Sequence, residues 1–136
     1  MLKHGDAMLA IDTNVVVRYL TNDHPDQSPR ARRLIDGQPV FVAVTVILEA
    51  EWVLRSAYGY SRAVIASTLR MFGGLPTVEL EDAAIISSAL DLSEAGMDFA
   101  DALHLRKSAH CAGLATFDRN FLKAAKAAGY DRVQEA

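Results

Sequence analysis

A chain of 136 residues, 51% hydrophobic and 23% charged, has the length of one ordinary domain and enough apolar mass to bury a core, which excludes an intrinsically disordered segment. No apolar run approaches the ~20 residues that span a bilayer, and the opening MLKHGDA lacks the apolar core of an export signal, so no membrane association and a cytoplasmic setting are expected. The net charge of −3 argues against a passive nucleic-acid binder, which carries an excess of Lys and Arg, but not against an enzyme that meets phosphate through a bound cation.

In chain order, a short apolar strand over Met8–Ile11 runs into Asp12-Thr13-Asn14, and Val15–Leu20 reads as a short helix. Asp23, Pro25, Asp26 and Pro29 punctuate a loop before a second helix over Arg30–Asp36. PVFVA, residues 39–43, is a β-branched run suited to a buried strand. Thr45–Tyr58 is a longer helix stopped by Gly59, and Ser61 is the expected N-cap of Arg62–Phe72. A strand at Thr77–Leu80 follows the Gly73-Gly74 turn, and Asp82–Ala95 is helical with Gly96 as its stop. Phe99–Ala112 is the next predicted helix, ended by Gly113. Leu114–Thr116 is a strand, Phe121–Ala128 a helix with Asn120 as its cap, and Arg132–Gln134 a last short strand. Lone Cys111 has no internal disulfide partner and falls in a helical stretch as a small apolar residue. Strands separated by helices imply a parallel sheet covered on both faces. The expected fold is therefore a three-layer α/β/α sandwich with a central parallel sheet, in a single domain.

In such a fold, ligands gather outside the carboxyl ends of the strands. Asp12 and Asp118 each follow a predicted strand, so both belong on that edge. Crossover helices run antiparallel to the strands, which brings their first turns to the same edge. Asp98 and Asp101 open one such helix, and Glu49 lies early in another. Each residue also has a plain structural reading. Asp12 and Asp98 can cap the helices that follow them, and Asp118 can be a turn residue. Asp101 sits where a carboxylate favours the helix dipole, yet it heads the stripe Asp101, Leu105, Ser108, Ala112, which points it inward. Glu51 has Arg55 four residues on, an ordinary surface ion pair, and so should tolerate substitution. Glu49 has no such partner and is the better ligand.

Carboxylates crowded on one rim repel, and a hard divalent cation relieves that repulsion. His4, His24, His104 and His110 are scattered and form no zinc-type cluster with Cys111, so an all-oxygen site predicts Mg²⁺ or Mn²⁺. Such an ion suits phosphoryl chemistry. The sequence carries no phosphate-binding glycine loop and no evident Ser/His/Asp or Cys/His nucleophile arrangement.

Three segments, LAIDTNVVVRYL, VTVILEAEWVLRSAYGYSR and MDFADALHL with LATFDRNF, carry a resemblance over nearly the whole chain. The sequence resembles the PIN-domain family, and most closely the VapC-type toxins of prokaryotic toxin–antitoxin pairs. The resemblance implies a metal-dependent ribonuclease whose four acidic positions match Asp12, Glu49, Asp101 and Asp118. It places Asn14 and Thr116 where polar residues orient those acids, and Asp98 at a frequent additional acid. It also implies a homodimer, an antitoxin whose C-terminal segment occludes the site, and products ending in a 5′-phosphate and a 3′-hydroxyl. Arg119, beside Asp118, and Arg18 are candidate guides for the RNA backbone. The family opens near a sequence like MLAIDTN, so residues 1–7 read as an N-terminal extension or tag-like segment, 8–136 as the domain, and Met1 and Met8 as competing starts.

Three rival readings compete with this one. A haloacid-dehalogenase-like phosphatase also opens with an Asp after its first strand, but needs a second Asp where this chain has Asn14. A receiver domain needs a phospho-accepting Asp after its third strand, where the chain reads Leu80-Glu81-Asp82 with no matching Lys and Thr. A non-catalytic module would bind a partner through the region of Trp52 and Tyr58.

Overall fold

The computed structural model describes residues 8–136, and the expectation of an extension over residues 1–7 lies outside the described residues, as does His4. Helices and short strands alternate, and every strand pairing is parallel, the α/β class that the sequence predicts. The described residues divide into two compact units, 8–83 and Ala84–Ala136. No helix among the described residues is long and apolar enough to cross a membrane.

The first unit contains β1 (Leu9–Ala10), α1 (Thr13–Thr21), α2 (Gln27–Gly37), β2 (Val40–Val42), α3 (Val44–Ser56), α4 (Arg62–Gly73) and β3 (Val78–Leu80). Its sheet runs β1-β2-β3, with Leu9 opposite Val40 and Val40 opposite Val78. In the middle strand β2, Val40 and Val42 on one face are fully buried and Phe41 on the other is half-buried. Val16 of α1, Ile35 of α2, Ile47 and Leu54 of α3, and Ile65, Leu69 and Phe72 of α4 complete the core.

Helix starts in this unit depend on side chains that satisfy free amide groups. Ser61 caps α4 by accepting from the Val64 amide, as the sequence predicts. Ala43 precedes α3 and has nothing to offer, so Glu81, just past β3, accepts from the Val44 amide at 2.8 Å. The helix α2 begins at Gln27, three residues before the predicted start. Pro29 falls in its first turn, where a missing N–H costs no intrahelical bond. The His24 imidazole serves that turn, with Nδ1 accepting from the Asp26 and Gln27 amides.

The second unit is built from α5 (Ala83–Glu94), α6 (Phe99–Lys107), β4 (Leu114–Thr116), α7 (Arg119–Ala127) and β5 (Val133–Glu135). The strands β4 and β5 pair in parallel, with Leu114 opposite Val133 and Thr116 opposite Glu135. Gly113 is required here, because a Cβ would lie 2.7 Å from the Arg132 carbonyl oxygen. Phe99, Leu103 and Leu105 of α6 and Phe121 and Ala125 of α7 are buried. The helix α6 ends at Lys107 rather than at the predicted Ala112. Ser108 stops it: its hydroxyl donates to the His104 carbonyl at 2.6 Å, and its own carbonyl accepts from Cys111 in a tight turn. Cys111 is exposed and lies past the end of α6, which corrects its reading as a small apolar residue of a helix.

Candidate active site

In the first unit, Asp12 follows β1 and is the N-cap of α1, its carboxylate accepting from the Val15 amide at 3.2 Å. Such a cap is worth ~1 kcal/mol, so the plain structural role is real. The parallel sheet sends the carboxyl end of β2 to the same edge, and α3 starts from it. Glu49 lies on the second turn of α3 and is exposed. Its Oε1 accepts from the Thr13 hydroxyl at 2.9 Å. Thr13 is the residue after Asp12, so this bond ties Glu49 to the segment that carries Asp12.

Thr13 is a residue that sequence reasoning missed; its signal was its place in DTN, between two polar residues already singled out. Asn14 is exposed and lies beside Asp12 in a groove, but makes no hydrogen bond to either acid among the described residues. Arg18 is held by its own surroundings. Its Nε donates to Gln27 at 3.0 Å, and its Nη1 lies 3.6 Å from Asp23.

Glu51 corrects the sequence reading. It is paired with Arg55 as predicted, at 2.9 Å, but it is buried, only 3% exposed. It shares the face of Ile47, Ala50 and Leu54, which is the core face of α3. Its ion pair is a packing element, not a surface ornament. Glu49, two positions on the other side of the helix, points outward.

In the second unit, Asp98 caps α6 by accepting from the Asp101 amide at 3.2 Å. Asp118 caps α7, taking amide hydrogens from Asn120 at 2.9 Å and Phe121 at 3.1 Å. The cap is thus Asp118 rather than the predicted Asn120, because the helix begins at Arg119. The Thr116 hydroxyl accepts from the Asp118 amide at 3.0 Å and fixes the turn between β4 and that carboxylate. Arg119 is exposed at the start of α7, beside a shallow basic groove with Lys123 and Lys126.

Asp101 differs from all of these. It is half-buried and accepts no hydrogen bond among the described residues. Burial pushes its carboxyl above the usual carboxylate range, and the charges of Asp98 and Asp118 push it further, opposed by His104. A carboxyl without a hydrogen-bond donor, raised by burial and by the charges of two other acids, is a candidate for a functional group.

The donor set is all carboxylate oxygen, the chemistry that hard divalent ions take. As the side chains stand, no group of three or more His, Cys, Asp or Glu among the described residues is arranged to hold a metal. Asp12, Asp98 and Asp118 each turn one carboxylate oxygen toward a helix amide. The residues fit the ion in chemistry, with those caps competing for the same oxygens.

The sequence model of the PIN domain matches residues 9–127, from the start of β1 to the end of α7. The chain belongs to the PIN domain family. PIN domains form a family of nucleases, and the matched span holds both acidic groups and leaves β5 outside. No curated protein matches the chain in sequence. Among solved structures, one similar to this PIN domain is that of VapC20 of Mycobacterium tuberculosis, described as a Sarcin-Ricin loop cleaving toxin. It is 21% identical, the alignment covers 85% of this chain and 94% of that one, and the TM-score is 0.42.

Proposed function

We propose that this PIN domain is a divalent-metal-dependent ribonuclease and the toxin of a toxin–antitoxin pair. The observation that carries the reading is Asp101, a half-buried acid without a hydrogen-bond donor among the described residues, whose carboxyl is raised by burial and by the charges of Asp98 and Asp118, inside the span matched by a nuclease family. Asp12, Glu49, Asp101 and Asp118 are the residues assigned to the ion, Mg²⁺ or Mn²⁺. When bound, that ion supplies Lewis-acid stabilisation of charge on the scissile phosphate and a more acidic water.

The chain's own residues do the remainder. Thr13 holds the Glu49 carboxylate, and Thr116 holds the turn that presents Asp118. Arg119, with Lys123 and Lys126 behind it, draws the RNA backbone by charge, and Arg18 does so beside Asp12. Attack of water in line with the P–O3′ bond adds hydroxide to phosphorus and returns a proton to the leaving oxygen. The products are a 5′-phosphate and a 3′-hydroxyl.

The reading includes a homodimer and a cognate antitoxin that covers the acids, in a cytoplasmic setting. Trp52, 59% exposed, and Met71, 67% exposed, are apolar surface that an assembled state would cover. The test is direct. Purified protein with Mn²⁺ or Mg²⁺ is expected to cut single-stranded or structured RNA, and to stop with EDTA or with Asp12→Asn or Asp101→Asn in folded protein. Cutting that persists in both variants would overturn the assignment of these acids.

A further inference from the structure

A groove of about 480 Å³ runs between α1 and α2 and begins at Asp12. That volume is within the usual range for ligand pockets, ~300–1,000 Å³. Its floor is apolar, made by Val15 of α1 and by Ala31 and Leu34 of α2. Its walls are polar and cationic: Arg18 from α1, Gln27 and Arg30 from α2. The four α2 residues fall at spacings of three and four, one continuous face of the helix.

The polar groups are ordered for recognition. Arg18 donates its Nε hydrogen to Gln27 Oε1 at 3.0 Å, which fixes the Gln27 amide and leaves its NH₂ free to donate. Arg30 pairs with Asp26 at 3.1 Å, but the two side chains are 66% and 70% exposed. An exposed pair at this spacing holds by a few tenths of a kcal/mol, so Arg30 can exchange Asp26 for a phosphate. An apolar lining, an amide donor fixed by Arg18 and an exposed, displaceable cation together match a nucleotide. The groove is continuous with Asp12, one of the acids assigned to the reaction.

Resting on the ribonuclease reading, we propose that this groove seats a nucleotide flanking the scissile phosphate. The base lies on Val15, Ala31 and Leu34, Gln27 reads its edge, and Arg30 holds a backbone phosphate. Gln27 is thereby a specificity residue, and the base beside the cut is set by the α1–α2 face.

The test uses the full-length, metal-free protein and the four ribonucleoside 5′-monophosphates, followed by NMR shifts at α1 and α2. One base is expected to bind at least about 5-fold more tightly than the weakest. Gln27→Ala should flatten that ranking, Arg30→Glu should weaken all four alike, and Arg33→Glu, elsewhere on α2, should change nothing. In RNA cleavage, Gln27→Ala should change the base found beside the cut and raise KM while kcat stays. Gln27 and Arg30 are exposed, so these variants keep the fold. If the protein cuts RNA but no nucleotide shifts α1 or α2 and Gln27→Ala cuts with the same preference, the groove proposal fails and the nuclease reading stands. If nucleotides bind with the expected ranking and no RNA is cut, the nuclease reading fails and takes with it the placement beside a scissile phosphate, while the groove stands as a nucleotide site. A protein partner that shifts these helices where no nucleotide does would also overturn the proposal.

Discussion

In the first unit, the acids Asp12 and Glu49 each have a donor: the Val15 amide for one, the Thr13 hydroxyl for the other. In the second unit, Asp98 and Asp118 are likewise satisfied by helix amides, but Asp101 accepts no hydrogen bond among the described residues. The difference separates two ways of placing a carboxylate. One is stable as it stands and can serve as a cap whatever else it does. In the other, burial and two like charges raise the carboxyl and disfavour its ionised form, which a proton or a bound cation relieves.

The largest expected effect comes from Asp101→Asn. Loss of about 3 kcal/mol of transition-state stabilisation would cut RNA hydrolysis by about 100-fold or more. The same substitution should raise the melting temperature of the metal-free protein, because it removes a charge the fold resists. Activity falling together with stability would make Asp101 a structural residue. Asp12→Asn should also abolish cutting, but with no gain in stability, since its oxygen caps α1.

The two glutamates of α3 give the next contrast. Glu51→Ala leaves Arg55 without its buried partner and should cost about 2 kcal/mol, discounted because Arg55 is 37% exposed. Glu49→Ala should change stability by less than about 0.5 kcal/mol, as at other exposed positions, while cutting is lost. Denaturant melts of both variants, read beside RNA cleavage, check the pair.

A smaller effect is expected from Thr116→Val, which removes the acceptor for the Asp118 amide. About 10-fold slower cleavage is predicted, with Thr116→Ser close to the unsubstituted protein. The pH dependence is the most modest. Because the Asp101 carboxyl is raised in the folded protein, its contribution to stability is fully present below the unfolded value of 3.8 and is lost as pH rises through the raised one. The melting temperature of metal-free protein relative to Asp101→Asn should therefore drop over that window, and added Mn²⁺ should reverse the drop.

Local chemistry made much of this legible. Ser61, Gly96 and the β-branched run around Val40 and Val42 announce their elements, because caps, stops and buried strands depend on near neighbours. The acids were legible through topology: Asp12 and Asp118 follow strands, and Asp101 opens a helix. What was not legible depends on distant contacts or on competing local signals. Pro29 reads as a loop breaker until His24 caps the turn that contains it. Glu51 reads as a surface residue because its pairing with Arg55 is obvious, yet its helical face with Ile47 and Leu54 carries it into the core. The service of Glu81 to the start of α3 crosses 37 positions, and no local pattern gives it.

The most direct measurement is a calorimetric titration of Mn²⁺ into folded, metal-free protein, repeated with Asp12→Asn and Asp101→Asn. The account predicts saturable uptake by the unsubstituted chain and its loss in both variants. Absence of uptake by the unsubstituted chain, or undiminished uptake by Asp101→Asn, would contradict it.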